Sequence, residues 1–247
     1  MQIVIDNLLT NYESYENTEA KGYLVILPGW MNTSSTWKPI AQELSKKYKI
    51  IILDFPGFGK TPKPSNDFDT CRYASFVQAF LKKLGISKAI FLGHSFGGRV
   101  ATILATNTPL VEKLILLDSA GIEKPTSGER IKINIAHTLS PLKKLLPKKL
   151  TYKISNLLGS PDYNRAGEMR KIFTQIISQD LTHLLPKIKA PTLILWGDKD
   201  KVLNPKLTKV YKKLIPNSRV RIIWEAGHSP HKDKPKEFLE ILCQWLQ

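Results

Sequence analysis

The chain has 247 residues, 42% of them apolar and 23% charged, and carries a formal net charge of +16. That composition excludes a disordered chain, a collagen and a multi-span membrane protein. Two cysteines, Cys71 and Cys243, make neither a disulfide framework nor a metal cluster, since neither has a Cys or His partner at ligand spacing. The positive charge comes from 30 Lys and only 7 Arg, with no Arg-rich stretch interleaved with aromatics, so it reads as solvated surface rather than a nucleic-acid interface. The N-terminal residues lack a basic n-region and are interrupted early by Asp6, which argues against a signal peptide and for a reduced, cytoplasmic protein.

In chain order, short apolar runs predict strands at 23–27, 49–53, 88–92, 113–117, 192–196 and 219–224, most of them near-continuous Ile, Leu and Val, as strands buried on both faces require. Segments with apolar residues at helical spacing predict helices at 36–47, 69–84, 96–107, 206–214 and 235–246. The alternation implies βαβ units and an α/β fold whose mostly parallel sheet is flanked by helices. In such sheets the chemistry lies at the carboxyl ends of the strands. No strand is predicted over 121–190. Helical patterns there run 131–139, 149–158 and 168–177, and the stretch holds 13 basic against 5 acidic residues. The predicted organisation is a core of 1–120 and 191–247 with a helical cap, 121–190, inserted so as to roof the strand ends.

The segment Ile90-Phe91-Leu92-Gly93-His94-Ser95-Phe96-Gly97-Gly98-Arg99 runs an apolar strand into Gly-x-Ser-x-Gly and then into a helix with small residues at Gly97, Gly98, Ala101 and Ala105. That is the context of a nucleophile elbow: a strained turn exposes the Ser95 hydroxyl, and its neighbours two places away must be small to avoid strand and helix. The following helix start aims N–H groups and its positive dipole end at developing negative charge.

A serine nucleophile needs a base, and the base needs an orienting acid. Among five histidines, His94 adjoins the nucleophile but points elsewhere, and His137 and His183 fall in the insertion as surface or packing residues. His228, on a Gly-flanked loop just past the last predicted strand, is the favoured base over His231. For the acid, Asp200 is favoured over Asp198, which adjoins Gly197 and can serve the turn. Asp118, at the end of the strand 113–117, is an outside candidate. The order Ser95…Asp200…His228 is that of the α/β-hydrolases rather than of other triad folds.

With these residues in place the chain resembles the α/β-hydrolase superfamily, in particular small serine esterases with one helical cap. The turn Asp54-Phe55-Pro56-Gly57-Phe58-Gly59 resembles the family's D-x-x-G-x-G, and Pro28-Gly29-Trp30 its oxyanion loop, with Pro28 where the family commonly has His. The resemblance implies an oxyanion hole formed by the backbone N–H groups of Trp30 and Phe96. It also implies ester cleavage through an acyl-enzyme, on short to medium acyl chains, with neither cofactor nor metal. Lactonase and thioesterase activities use the same skeleton, and so do non-catalytic ligand receptors. The Trp30 loop and Asp54 turn partly resemble pimeloyl carrier-protein methyl ester esterases. This implies a small-molecule ester substrate, with an acidic acyl-carrier protein as one candidate partner; the Arg-poor charge and strand-length apolar runs predict neither a nucleic-acid partner nor a membrane span. Asp54 itself reads as structural. Gly57 and Gly59 are not a dinucleotide fingerprint, because Pro62 stands where its third glycine is required.

Overall fold

A computed structural model describes residues 1–64, 68–122 and 161–247. Its centre is an eight-stranded sheet in the order β1-β2-β4-β3-β5-β6-β7-β8. Strands β3 (Tyr23–Leu27), β4 (Lys49–Leu53), β5 (Ala89–His94), β6 (Val111–Leu117), β7 (Thr192–Gly197) and β8 (Ser218–Ile223) are parallel. The inner strands are apolar almost throughout because side chains alternate between two faces that are both covered, whereas the edge strand β8 exposes Arg219 and Arg221. In β3, Leu24 and Ile26 join one core, and Val25 and Leu27 join the other.

Helices α1 (Lys38–Leu44) and α8 (Pro235–Leu246) cover the first face, contributing Ile40, Leu44, Phe238 and Leu242. Helices α2 (Thr70–Lys83), α3 (Phe96–Asn107) and α6 (Leu207–Leu214) cover the second. Helix α2 starts where the side chain of Asp69 accepts a hydrogen bond from Arg72 N at 2.8 Å, satisfying one of the free N–H groups of the first turn.

Two strands were not anticipated from the sequence. Strands β1 (Gln2–Ile5) and β2 (Leu8–Tyr15) form an antiparallel hairpin, and β2 pairs antiparallel with β4. The two-residue connection, Asp6-Asn7, has positive φ at both positions (46° and 63°), as a type I′ turn requires. At the opposite edge, β8 ends one residue earlier than expected. Glu225 takes φ 57° and Trp224 is left 68% exposed.

Between β6 and β7 the described residues are helical: α4 (Pro161–Arg165), a 3₁₀ turn at Gly167–Met169, α5 (Arg170–Ile177) and a second 3₁₀ turn at Thr182–Lys187. The expected helix over 168–177 is thus a 3₁₀ turn followed by an α-helix. The patterns expected at 131–139 and 149–158 lie outside the described residues. Helix α5 buries Ile172, Phe173 and Ile176 in the same core as α2 and α3. Gln179 behind it holds this segment to the body: its backbone carbonyl accepts from Arg99 Nη1 at 2.7 Å. Its side-chain oxygen accepts from both the N–H and the hydroxyl of Thr70. No described helix is long and apolar enough to cross a membrane.

Candidate active site

Strand register decides which loops meet. The chain runs from β3 to β4 on one side and returns to β5 on the other, so the sheet order reverses around β3, where ligand crevices form in α/β sheets. Leu27 pairs with Gly93, which sets Pro28-Gly29-Trp30 beside Ser95. His94 pairs with Leu117, which brings Asp118 alongside. Leu117 pairs with Leu195 and Gly197 with Ile223, which gathers the loops carrying Asp200 and His228 at the same end.

Ser95 sits between β5 and α3 at φ 51°, ψ −111°, a conformation unfavourable for a residue with a Cβ. Hydrogen bonds hold it there: Ser95 N–H donates to Leu117 O at 3.0 Å, and Ser95 O accepts from Ala120 N at 3.1 Å. The turn also needs its glycines. A Cβ at Gly97 would collide with the backbone carbonyl of Leu27, and one at Gly93 would lie 2.6 Å from Gly97 O.

The three favoured residues come together. His228 Nε2 lies 3.0 Å from Ser95 Oγ, and His228 Nδ1 lies 2.8 Å from Asp200 Oδ2. The other Asp200 oxygen accepts from Val202 N at 2.7 Å and Leu203 N at 2.9 Å. Burial pushes the Asp200 carboxyl upward. The hydrogen bond and charge of His228, with the Leu203 and Val202 N–H groups, outweigh that and leave it below the usual carboxylate range. Asp198 pairs with Lys199 at 3.4 Å, and it is Asp200 that accepts from His228 Nδ1.

Asp54 closes its own turn, accepting from Ser34 N at 2.6 Å, Asn11 Nδ2 at 2.8 Å and Lys60 N at 3.3 Å. Above the elbow, Trp30 packs edge-on against Phe58 and Phe96, with ring centroids 4.9 and 5.5 Å away, and 4.9 Å from Phe173 of α5. An aromatic wall thus joins the oxyanion loop to the insertion. Asp162 of α4 also faces this region: burial pushes its carboxyl up, against the pull of His228 and Arg165.

His94 has a larger part than its sequence position suggested. It is buried, and its Nε2–H donates to His228 O at 2.7 Å, while Nδ1 lies 2.9 Å from where a Cβ on Gly29 would stand. One ring therefore touches the base loop and the oxyanion loop together. Burial and the neighbouring His228 charge push its pKa down to about 3, against the pull of the hydrogen bond to the His228 carbonyl. His231 is buried as well and stacks on Trp37, with centroids 3.9 Å apart and planes 3° from parallel. Burial, then His94, push it well below the usual histidine range. Both rings resist protonation in the folded state. In the unfolded chain they take up protons below about pH 6.5, so the fold loses stability as pH falls below that point, at up to about 1.4 kcal/mol per pH unit for each ring while it stays unprotonated in the fold. Urea denaturation below about pH 6.5 should show His231→Phe, which keeps the stack, losing stability less steeply than the parent as pH falls. An unchanged slope would mean that His231 is already charged in the fold.

Among the described residues, one group could hold a metal ion by composition: Asp118, Asp200 and His228, whose nearest ligand atoms all lie within 4.8 Å of one another. In this chain Asp200 and His228 are already engaged with each other and with Ser95.

The sequence profile of the family described as the alpha/beta hydrolase fold matches residues 22–142 and 137–235. The chain is 27% identical over 270 residues to the uncharacterized hydrolase YugF of Bacillus subtilis (strain 168), covering 100% of this chain and 97% of that protein. It is 27% identical over 237 residues to the pimeloyl-[acyl-carrier protein] methyl ester esterase of Legionella pneumophila (strain Corby), covering 91% of this chain and 95% of that one. Among solved structures, a membrane phospholipase A described as a bacterial virulence factor superposes with a TM-score of 0.81 at 26% identity, over 100% of this chain and 84% of its own. Sheet order, nucleophile elbow, hydrogen-bonded Ser-His-Asp geometry and profile agree, and the chain belongs to the alpha/beta hydrolase family.

Proposed function

We propose that the protein is a serine hydrolase of carboxylic esters, acting through an acyl-enzyme. The observation that carries this reading is the hydrogen-bonded relay from Ser95 Oγ through the His228 ring to Asp200. Ser95 Oγ attacks the acyl carbon while His228 Nε2 takes its proton and then delivers it to the departing alkoxide. Asp200 holds Nδ1–H and stabilises the imidazolium that forms. Phe96 N–H, the first of α3, has no acceptor within its own helix. Trp30 N–H has no backbone acceptor among the described residues. These two N–H groups form the oxyanion hole, each contributing about 3–4 kcal/mol to the transition state. Water activated by the same histidine then releases the acid.

Phe173 against Trp30, with Ile172 and Ile176 buried behind, supports an apolar acyl pocket roofed by the insertion, the cap of 121–190. Such a pocket favours short to medium acyl chains, each accommodated methylene contributing up to about 0.8 kcal/mol. The cytoplasm is the compartment this reading assigns. The basic insertion and the carrier-protein esterase among the relatives support one more specific substrate, an ester carried on an acidic acyl-carrier protein.

A fluorophosphonate probe and a panel of p-nitrophenyl esters, lactones and thioesters test the reading. The probe should label Ser95, and esters should turn over fastest, with rates rising from acetate to mid-length chains. Absence of labelling would sink the hydrolase assignment, and faster lactone or thioester turnover would move it to those substrates. A flat chain-length profile would remove the cap from the pocket. Because the Debye length shrinks from about 10 Å at 0.1 M salt to about 3 Å at 1 M, kcat/KM for a carrier-protein ester should fall severalfold with salt while that for a neutral ester holds. Equal salt responses would leave the charge as solvated surface.

A further inference from the structure

We propose that Asp118 is a positioning residue that keeps its proton during catalysis and donates it in a hydrogen bond to the Asp200 carboxylate. Asp118 follows β6 directly and is fully buried, in a left-handed backbone conformation at φ 41°. That conformation turns it under the loop of β7, where Oδ1 accepts from Gly197 N–H at 3.1 Å. Its second oxygen, Oδ2, is buried with no hydrogen-bond donor facing it. The carboxyl sits beside the triad acid: one oxygen of Asp118, one of Asp200 and a ring nitrogen of His228 all lie within 4.8 Å of one another.

Two carboxyls this close, both buried, do not ionise together. The proton stays on the one with less to stabilise its charge. Asp200 has His228 and two backbone N–H groups, whereas Asp118 has one N–H. The charged groups bearing on Asp118 act accordingly. Burial raises its carboxyl most, the Gly197 N–H opposes that, and Asp200 and then Asp233 of α7 (Pro230–Asp233) raise it further, to about 9. A neutral acid kept so by its surroundings, in order to donate a hydrogen bond, is an established catalytic arrangement.

Seated this way, the Asp118 proton fixes the orientation of Asp200, and through it the His228 ring. It also spreads the Asp200 charge over two carboxyl groups, which tempers the basicity of the imidazole. The role rests on the serine-hydrolase reading, and fluorophosphonate labelling of Ser95 in the parent protein tests that reading separately.

Asp118→Asn and Asp118→Ala test the inference. The amide of Asn can accept from Gly197 N–H and donate to Asp200, so Asp118→Asn should keep kcat close to the parent value. Asp118→Ala removes the donor and frees the triad acid to shift, and kcat should fall about ten- to a hundredfold with KM little changed. The parent should lose kcat/KM above about pH 9 as Asp118 gives up its proton. The Asn variant should hold its plateau through that range. The ¹³C carboxyl resonance of Asp118, assigned by its loss in Asp118→Asn, should titrate in the same range without any need for turnover. If Asp118→Ala does not fold, the Asn pH profile and the resonance decide. Asp118→Asn as damaging as Asp118→Ala, the same alkaline limb in parent and Asn variant, or a resonance already ionised at pH 7 would each overturn the inference.

Discussion

Ser95→Ala should lower kcat on an ester by about 10⁴-fold or more, because nothing else at the elbow can form the acyl-enzyme. What remains would come from the oxyanion donors and substrate binding alone. The fold should survive. The elbow is held by backbone bonds from Ser95 N–H to Leu117 O and from Ala120 N–H to Ser95 O, which a methyl side chain leaves in place. Alanine keeps the Cβ and therefore the same backbone strain at φ 51°, so the melting temperature of the variant should stay close to the parent's. Circular dichroism melts and single-turnover assays together separate a dead site from an unfolded one. Turnover within about tenfold of the parent would show that Ser95 is not the nucleophile.

Asp200→Asn should cost about 10³–10⁴ in kcat, and Asp198→Asn far less. An amide at position 200 offers His228 Nδ1 an N–H as readily as an oxygen, so the imidazole can flip to the tautomer that cannot take the Ser95 proton. The amide also cannot stabilise the imidazolium with a full charge. Asp198 pairs with Lys199 instead, while the ring bonds to Asp200. Kinetics of the two variants side by side are the check. The opposite ranking would transfer the acid to Asp198.

Much of this is legible in the sequence, and for a physical reason. Strand positions buried on both faces must be apolar, so past Tyr23 and Lys49 the strands β3 and β4 stand out as unbroken runs of Ile, Leu and Val. Gly93 and Gly97 flank Ser95 because only hydrogen fits between strand and helix there, and that constraint is written in the local sequence. The N-terminal hairpin was harder to see. Its strand β2 lies near a sheet edge and mixes Thr10, Asn11, Glu13 and Ser14 with its apolar residues, and the one available signal was Asp6-Asn7 between apolar neighbours. The run 219–224 predicts Trp224 as the last residue of β8. The turn at Glu225 sends it to the surface. The tie between His94 and the carbonyl of His228 links positions 134 residues apart through a backbone atom, and no spacing rule reports such a bond. Asp118 was visible as an acid at a strand end, but its burial beside Asp200 emerges only when β6 and β7 pair.

The way His94 joins the elbow to the His228 loop bears on how such a protein can change its substrate over evolutionary time. Ser95, His228, Asp200, Asp118 and His94 are hydrogen-bonded or packed to β5, β6, β7 and to one another, all within the sheet and its strand-end loops. The helices between β6 and β7 reach this group from above, through Phe173 on Trp30 and the charge of Asp162. Chemistry and selectivity therefore drift on separate tracks. If the roof shapes the acyl pocket as proposed, its insertions, deletions or replacement re-tailor the acyl group chiefly through its contacts at Trp30 and near His228, so a descendant can acquire a new diet while inheriting an old reaction.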